Sequence, residues 1–160
     1  MAADPPPCGL YRTGTSLPKF EQDVPGSVLI YFHNHSDKGP PIVLLPHKNE
    51  NNRWQFHDKG WLVEDPGFVG ALISLKAQGL SVVKERHLHI SREEIIPEKT
   101  LVQLGYNRSG DTILFAARFE GNSIVFPSQG YRFESPDVQR LLAPVDFSVP
   151  RPAEASRTLH

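Results

Sequence analysis

In the stretch VLIYFH, residues 28–33, apolar side chains alternate with a period of two. Val28, Ile30 and Phe32 share one face of an extended strand, and Leu29, Tyr31 and His33 share the other. The stretch TLVQLGYN, residues 100–107, repeats only the first of these faces. Val102 and Leu104 stand where Ile30 and Phe32 stood, while Gln103 and Gly105 replace Tyr31 and His33. The repeated face is expected to be core and the His33 face to be outer.

The likeness extends well beyond one strand. Sliding the chain by 70 residues lays Leu44, Glu50, Asn52, Phe56, Gly60, Glu64, Pro66 and Leu72 over Leu114, Glu120, Asn122, Phe126, Gly130, Glu134, Pro136 and Leu142. That is 8 identities in the 31 positions from 42 to 72, against roughly two from ordinary residue frequencies. Gly9–Leu10 meets Gly79–Leu80 at the same offset, which drifts to 72 where Pro25 and Leu29 meet Pro97 and Leu101. Turn glycines and helix-start prolines recur in the same order, which composition alone does not arrange. The chain is therefore expected to be a tandem duplication. A first repeat over 9–76 follows an N-terminal tail at 1–8; a second repeat over 77–146 precedes a C-terminal tail at 147–160. The Pro-rich and polar tails are expected to be disordered.

Each unit is expected to hold five short antiparallel strands closed by a helical turn. PIVLLPHK and TILFAARF are the third strands, and RWQFH and SIVFP the fourth, with Trp54/Phe56 and Ile124/Phe126 facing inward. DKG and SQG are tight connections into the fifth strands, WLVE and YRFE. Asp65 and Ser135 are N-caps ahead of Pro66 and Pro136. Phe68, Val69, Leu72, Ile73 and Leu75 make a stripe at helical spacing. The fold class is thus all-β with short terminal helices, two units that each resemble a small five-stranded SH3-like antiparallel barrel in architecture. A barrel so small buries little surface, so the two are expected to pack together.

Composition narrows the function. Net charge is −1, spread evenly, which argues against a nucleic-acid footprint although small barrels often bind nucleic acid. No apolar run is long enough to span a bilayer, and the N-terminus carries no secretory signal. Cys8 is the single cysteine, which points to a reducing, cytoplasmic setting. The chemistry rests on histidines. His33 and His35 lie two apart on a strand, as do His87 and His89, and imidazole pairs can begin a metal site. His33, His35 and His57 could hold a divalent transition metal in a cupin-like enzyme, but the Glu that a cupin motif expects is absent from SDKG. No histidine is shared by the two copies, so the scaffold does not need them. Trp54 and Trp61 match Ile124 and Tyr131 and are expected to line cores. Tyr31, unmatched by Gln103, is the candidate exposed aromatic; with His33 and His57 it is expected to form a protein-binding patch. No catalytic residue and no resident cofactor are expected. The leading expectation is a non-catalytic adaptor that binds another protein through the outer face or the groove between units.

Overall fold

The computed structural model describes residues 5–145; the C-terminal tail expected at 147–160, and residues 1–4 of the tail expected at 1–8, lie outside them. Runs of β-branched and aromatic residues broken by Pro and Gly give short strands throughout. In the first half these are β1 (Gly9–Arg12), β2 (Leu29–His33), β3 (Ile42–Leu44), β4 (Pro46–Glu50), β5 (Arg53–Phe56) and β6 (Trp61–Leu62). Helix α1 (Pro66–Gly70) and β7 (Ile73–Ser74) follow. The second half holds β8 (Gly79–Val83), β9 (Leu88–His89), β10 (Ile95–Ile96), β11 (Leu101–Tyr106), β12 (Thr112–Ala116), β13 (Arg118–Glu120), β14 (Ser123–Val125) and β15 (Tyr131–Phe133). A 3-10 helix (Pro136–Leu141) and β16 (Leu142–Pro144) complete it.

Two five-stranded antiparallel sheets result, ordered β6-β3-β2-β1-β7 and β15-β12-β11-β8-β16. The order is the same in both, and so is much of the register. Gly9 pairs with Phe32 and Gly79 with Leu104. Tyr11 pairs with Ser74 and Ser81 with Pro144. The third strands depart from the 70-residue offset: Phe32 faces Val43 while Leu104 faces Leu114. Val43, and not Leu44, therefore occupies the place of Leu114. The extra residue is absorbed in β4, where a bulge between Pro46 and Lys48 sets His47 outside the ladder. Beyond it, Glu50–Arg53 and Glu120–Ser123 pair alike. A bulge adds one residue to one strand and restores register downstream.

The closed barrel is corrected. The two-residue edge strands β6 and β7 do not pair with each other, so the first sheet is open. Each expected third strand also splits. β4 and β5 leave the sheet as a two-stranded ribbon, as do β13 and β14. In the first half the break falls at Leu45, just before Pro46, which has no N–H for the ladder. In the second it recurs at Ala117 without a proline, its N–H bonded to Leu101. DKG does not form a hairpin between the fourth and fifth strands. It carries the chain back so that β6 pairs with β3. There Gly60 crosses β3 so closely that a Cβ would sit 1.9 Å from the Val43 oxygen, and Gly130 crosses Leu114 in the same way.

Both N-caps form: Asp65 Oδ1 accepts from the Phe68 N–H at 2.9 Å, and Ser135 Oγ from the Asp137 N–H at 3.2 Å. The apolar stripe beyond α1 is not helical. After Gly70 the chain straightens and β7 pairs with Tyr11 and Arg12, because ladder bonds to β1 replace further helical turns.

Tyr11, Leu17, Val24, Ile30, Phe32, Val43, Val63 and Phe68 form the core of the first half. The opposite face of β2 is not outer. Leu29 is fully buried and joins Leu10, Leu75, Val102, Leu104 and Leu142 in a core shared by both halves. Tyr31 and Trp54 pack against it half-buried, while Trp61 packs half-buried on the first core. Ile124, expected inside, is exposed. Replacing Gly60 by Ala should cost about 2–4 kcal/mol, because backbone blocks the new methyl. Gly70→Ala, with no atom within 4 Å, should stay within about 0.5 kcal/mol. Denaturant midpoints of the two variants check this.

Candidate interaction surface at the junction of the halves

The connection between the sheets is tied on every side. The Lys76 N–H donates to Gln139 Oε1 at 2.8 Å, and its carbonyl accepts from the Tyr106 hydroxyl at 2.5 Å. Lys76 Nζ reaches the Leu142 carbonyl at 2.8 Å. Gln139 Nε2 donates to Tyr106 Oη and Thr112 Oγ1, both at 3.0 Å. Burial pushes the Tyr106 hydroxyl well above its usual pKa, and the Gln139 hydrogen bond pulls in the opposite direction.

With the halves held this way, the β4–β5 ribbon lies on the second sheet. The Trp54 N–H donates to Gln78 Oε1 at 2.6 Å, and the indole N–H to the Tyr106 carbonyl at 2.6 Å. Asn52 Nδ2 donates to Gln103 Oε1 at 3.1 Å, and Gln103 Nε2 to the Asn51 carbonyl at 2.9 Å. The Arg108 guanidinium stands 4.9 Å over the Trp54 ring, a cation–π contact. Gly105 leaves room for the tip: a Cβ there would come 3.3 Å from the Asn52 oxygen. Arg12 secures the other side, 3.7 Å from Asp111 and bonded to the Glu134 carbonyl at 2.7 Å.

By register, Gln78, Leu80, Gln103 and Gly105 correspond to Cys8, Leu10, Tyr31 and His33. In the second half the ribbon tip sits on Gln78, Gln103 and Gly105. In the first half the matching place receives no ribbon tip: Leu10 is buried and Tyr31 half-buried against the shared core, and a cleft of about 480 Å³ remains, with Cys8, Leu10 and Tyr31 on one wall and Arg53, Trp54, Phe56 and Gln78 on the other. Tyr31 tilts toward Phe56 at 5.8 Å and toward His33 at 4.9 Å between ring centroids. Three aromatics and an arginine converge here, the side chains that most often anchor protein contacts.

The residues expected from the sequence are partly brought together. Tyr31 and His33 touch, and His35 lies 6.3 Å from His33. His33 and His35 line a second hollow of about 700 Å³ with Asp37, Lys38, Asp58 and Lys59. His57 is paired elsewhere, its ring 4.3 Å from that of His47, in a hollow beside Asp23 and Arg108. Among the described residues, no three His, Cys, Asp or Glu side chains converge as a metal site. His87 Nδ1 accepts the Glu98 N–H at 3.1 Å. In sequence Cys8 stands only as the lone cysteine and Phe56 only as an inward-facing repeat position, and Arg53 and Gln78 carry no signal of a site. A signal existed for Cys8: the Gly9/Gly79 match sets it opposite Gln78.

Compared with known proteins, the chain matches no family model, no curated protein and no solved structure.

The buried Tyr106 gives the junction a pH dependence. Its folded pKa lies above the unfolded value of 10.0, so above that pH the unfolded chain loses a proton that the folded chain keeps. Stability should hold up to about pH 10 and then fall by about 1.4 kcal/mol per pH unit for this group. Tyr11 and Tyr131, raised in the same direction, add to the slope. Urea titrations across alkaline pH check it, and Tyr106→Phe should flatten the curve while lowering stability at neutral pH.

Proposed function

We propose that this chain is a non-catalytic duplicated β protein of the cytoplasm, an adaptor that takes an extended or hairpin segment of another protein into the cleft of its first half. One observation carries the reading. The place that the cleft occupies in the first sheet is, in the second sheet, filled by the tip of a β-ribbon held through side-chain and backbone hydrogen bonds. A surface of this build receives main-chain segments, with polar bonds for alignment and aromatic walls for affinity. Tyr31 stands on the cleft wall, and His33 touches it from outside the cleft lining. His57, beside His47, lies outside the cleft.

A second reading, a cupin-like or other metal-dependent enzyme using His33, His35 and His57, draws support from the adjacency of His33 and His35. It lacks His57 beside them, and metal content of the purified protein under repletion with Zn²⁺, Ni²⁺ or Fe²⁺ discriminates.

The adaptor reading is tested with a photo-crosslinker on Cys8, the sole cysteine and part of the cleft wall. In extract of the native host a discrete adduct should form and should fade about tenfold in Tyr31→Asp, with the circular dichroism spectrum unchanged. Adducts that are identical with and without Tyr31→Asp would remove the cleft from consideration.

A further inference from the structure

We infer that the segment received by the cleft is the β13–β14 ribbon of a second copy of this chain, so that copies associate head to tail. The inference rests on the cleft being a receiver of β-ribbons and adds who supplies the ribbon.

The ribbon inside the chain shows what the cleft accepts. Its tip is Asn51 and Asn52, both with positive φ, followed two residues on by Trp54. In β13–β14 the equivalent tip is Gly121, also with positive φ, then Asn122, then Ile124. Pairing is the same on either side of the tip: Asn49 faces Trp54, and Phe119 faces Ile124. The two ribbons thus share tip position and register. They differ in what covers them. The first lies on Gln78 and Gln103, whereas Phe119 and Ile124 are 75% and 51% exposed, the two most exposed large apolar side chains among those described. A cross-strand apolar pair left in water is a liability for a lone ribbon.

The ribbon contact between the halves is one-directional. The first-half ribbon bonds to the second-half sheet, and among the described residues no hydrogen bond runs from β13–β14 back to the first half. A twofold arrangement would have used both ribbons. A one-directional contact instead leaves a donor ribbon at one end and an acceptor cleft at the other. Such heterologous surfaces join successive copies into a closed ring or an open series. The chemistry at the two ends agrees. The cleft offers Tyr31 where Gln103 binds Asn52, and the free tip carries Asn122 in the place of Asn52. The cleft wall carries Arg53 and the free tip Glu120, of opposite sign.

Sedimentation velocity of the full chain, from low micromolar to millimolar, should show species that grow past dimers. Phe119→Asp and Ile124→Asp sit on the exposed ribbon and should leave the fold intact. Each should weaken association about tenfold or more, as loss of one buried large apolar side chain does. A bulky maleimide on Cys8 should block the acceptor end equally. Mixing the Phe119→Asp protein with Cys8-conjugated wild type should restore a 1:1 complex and nothing larger, since only one competent cleft and one competent ribbon remain. A dimer that survives conjugation of Cys8 means that ribbons pair about a twofold axis and overturns the inference. So does a monomer at every concentration. A Cys8 photo-crosslink that forms within one copy, to residues 146–160, in a mixture of heavy-isotope and unlabelled chains also overturns it. If the protein stays monomeric while a Tyr31-dependent adduct to a different protein forms, the adaptor reading stands and this one falls.

Discussion

The structure depends on how Lys76 is held. Its amide, its carbonyl and its ammonium group are each bonded to the second half, and the amide and carbonyl partners, Gln139 and Tyr106, are themselves nearly fully buried and bonded to each other. A satisfied buried bond contributes about 1 kcal/mol, but an orphaned group costs about 1–3 kcal/mol. The network therefore acts less through its total strength than through the penalty for any other arrangement. It allows the two sheets one relative placement. From that placement follow the seat of Trp54, the contact of Arg12 with Asp111 and the shape of the open cleft.

That placement makes two topologically alike sheets physically unlike. Small sheets bury too little apolar surface alone. The first answers by turning the Leu29 face of β2 against the second half, where Leu10 and Leu75 join it. The second half keeps Leu101 and Gln103 on the matching face and receives the ribbon tip there. One face is thus core in the first half and, in the second, the seat of the ribbon tip.

The histidines illustrate how far side-chain type falls short of a site. His33 and His35 do share a neighbourhood, as their two-residue spacing implies. His57 joins them only on the expectation of a closed barrel, with His33 and His57 on its outer face. With the ribbon folded away from the sheet, and His47 displaced by the bulge, His57 finds His47 instead. β5 ends at Phe56, one residue short of the expected strand, so His57 leaves both the strand and the barrel face expected for it.

Local features were legible in the sequence. The alternation in residues 28–33 and the caps at Asp65 and Ser135 obey rules that involve close neighbours along the chain. The recurrence of those signals in one order anticipated that the two sheets would share a strand order. The break after the third strand was not legible. Nor was the end of α1 at Gly70, the bulge at His47 or the burial of Leu29. Each depends on a competition between local geometry and contacts made across long separations, as when β7 reaches back to Tyr11 or Trp54 reaches forward to Tyr106. The sequence by itself determined the central strands of each sheet and the apolar face that Ile30 and Phe32 share with Val102 and Leu104. Only the tertiary structure decided which apolar face meets the other half, because that choice is made by packing and hydrogen bonds that join residues about 25 to 65 apart, beyond the reach of any periodicity.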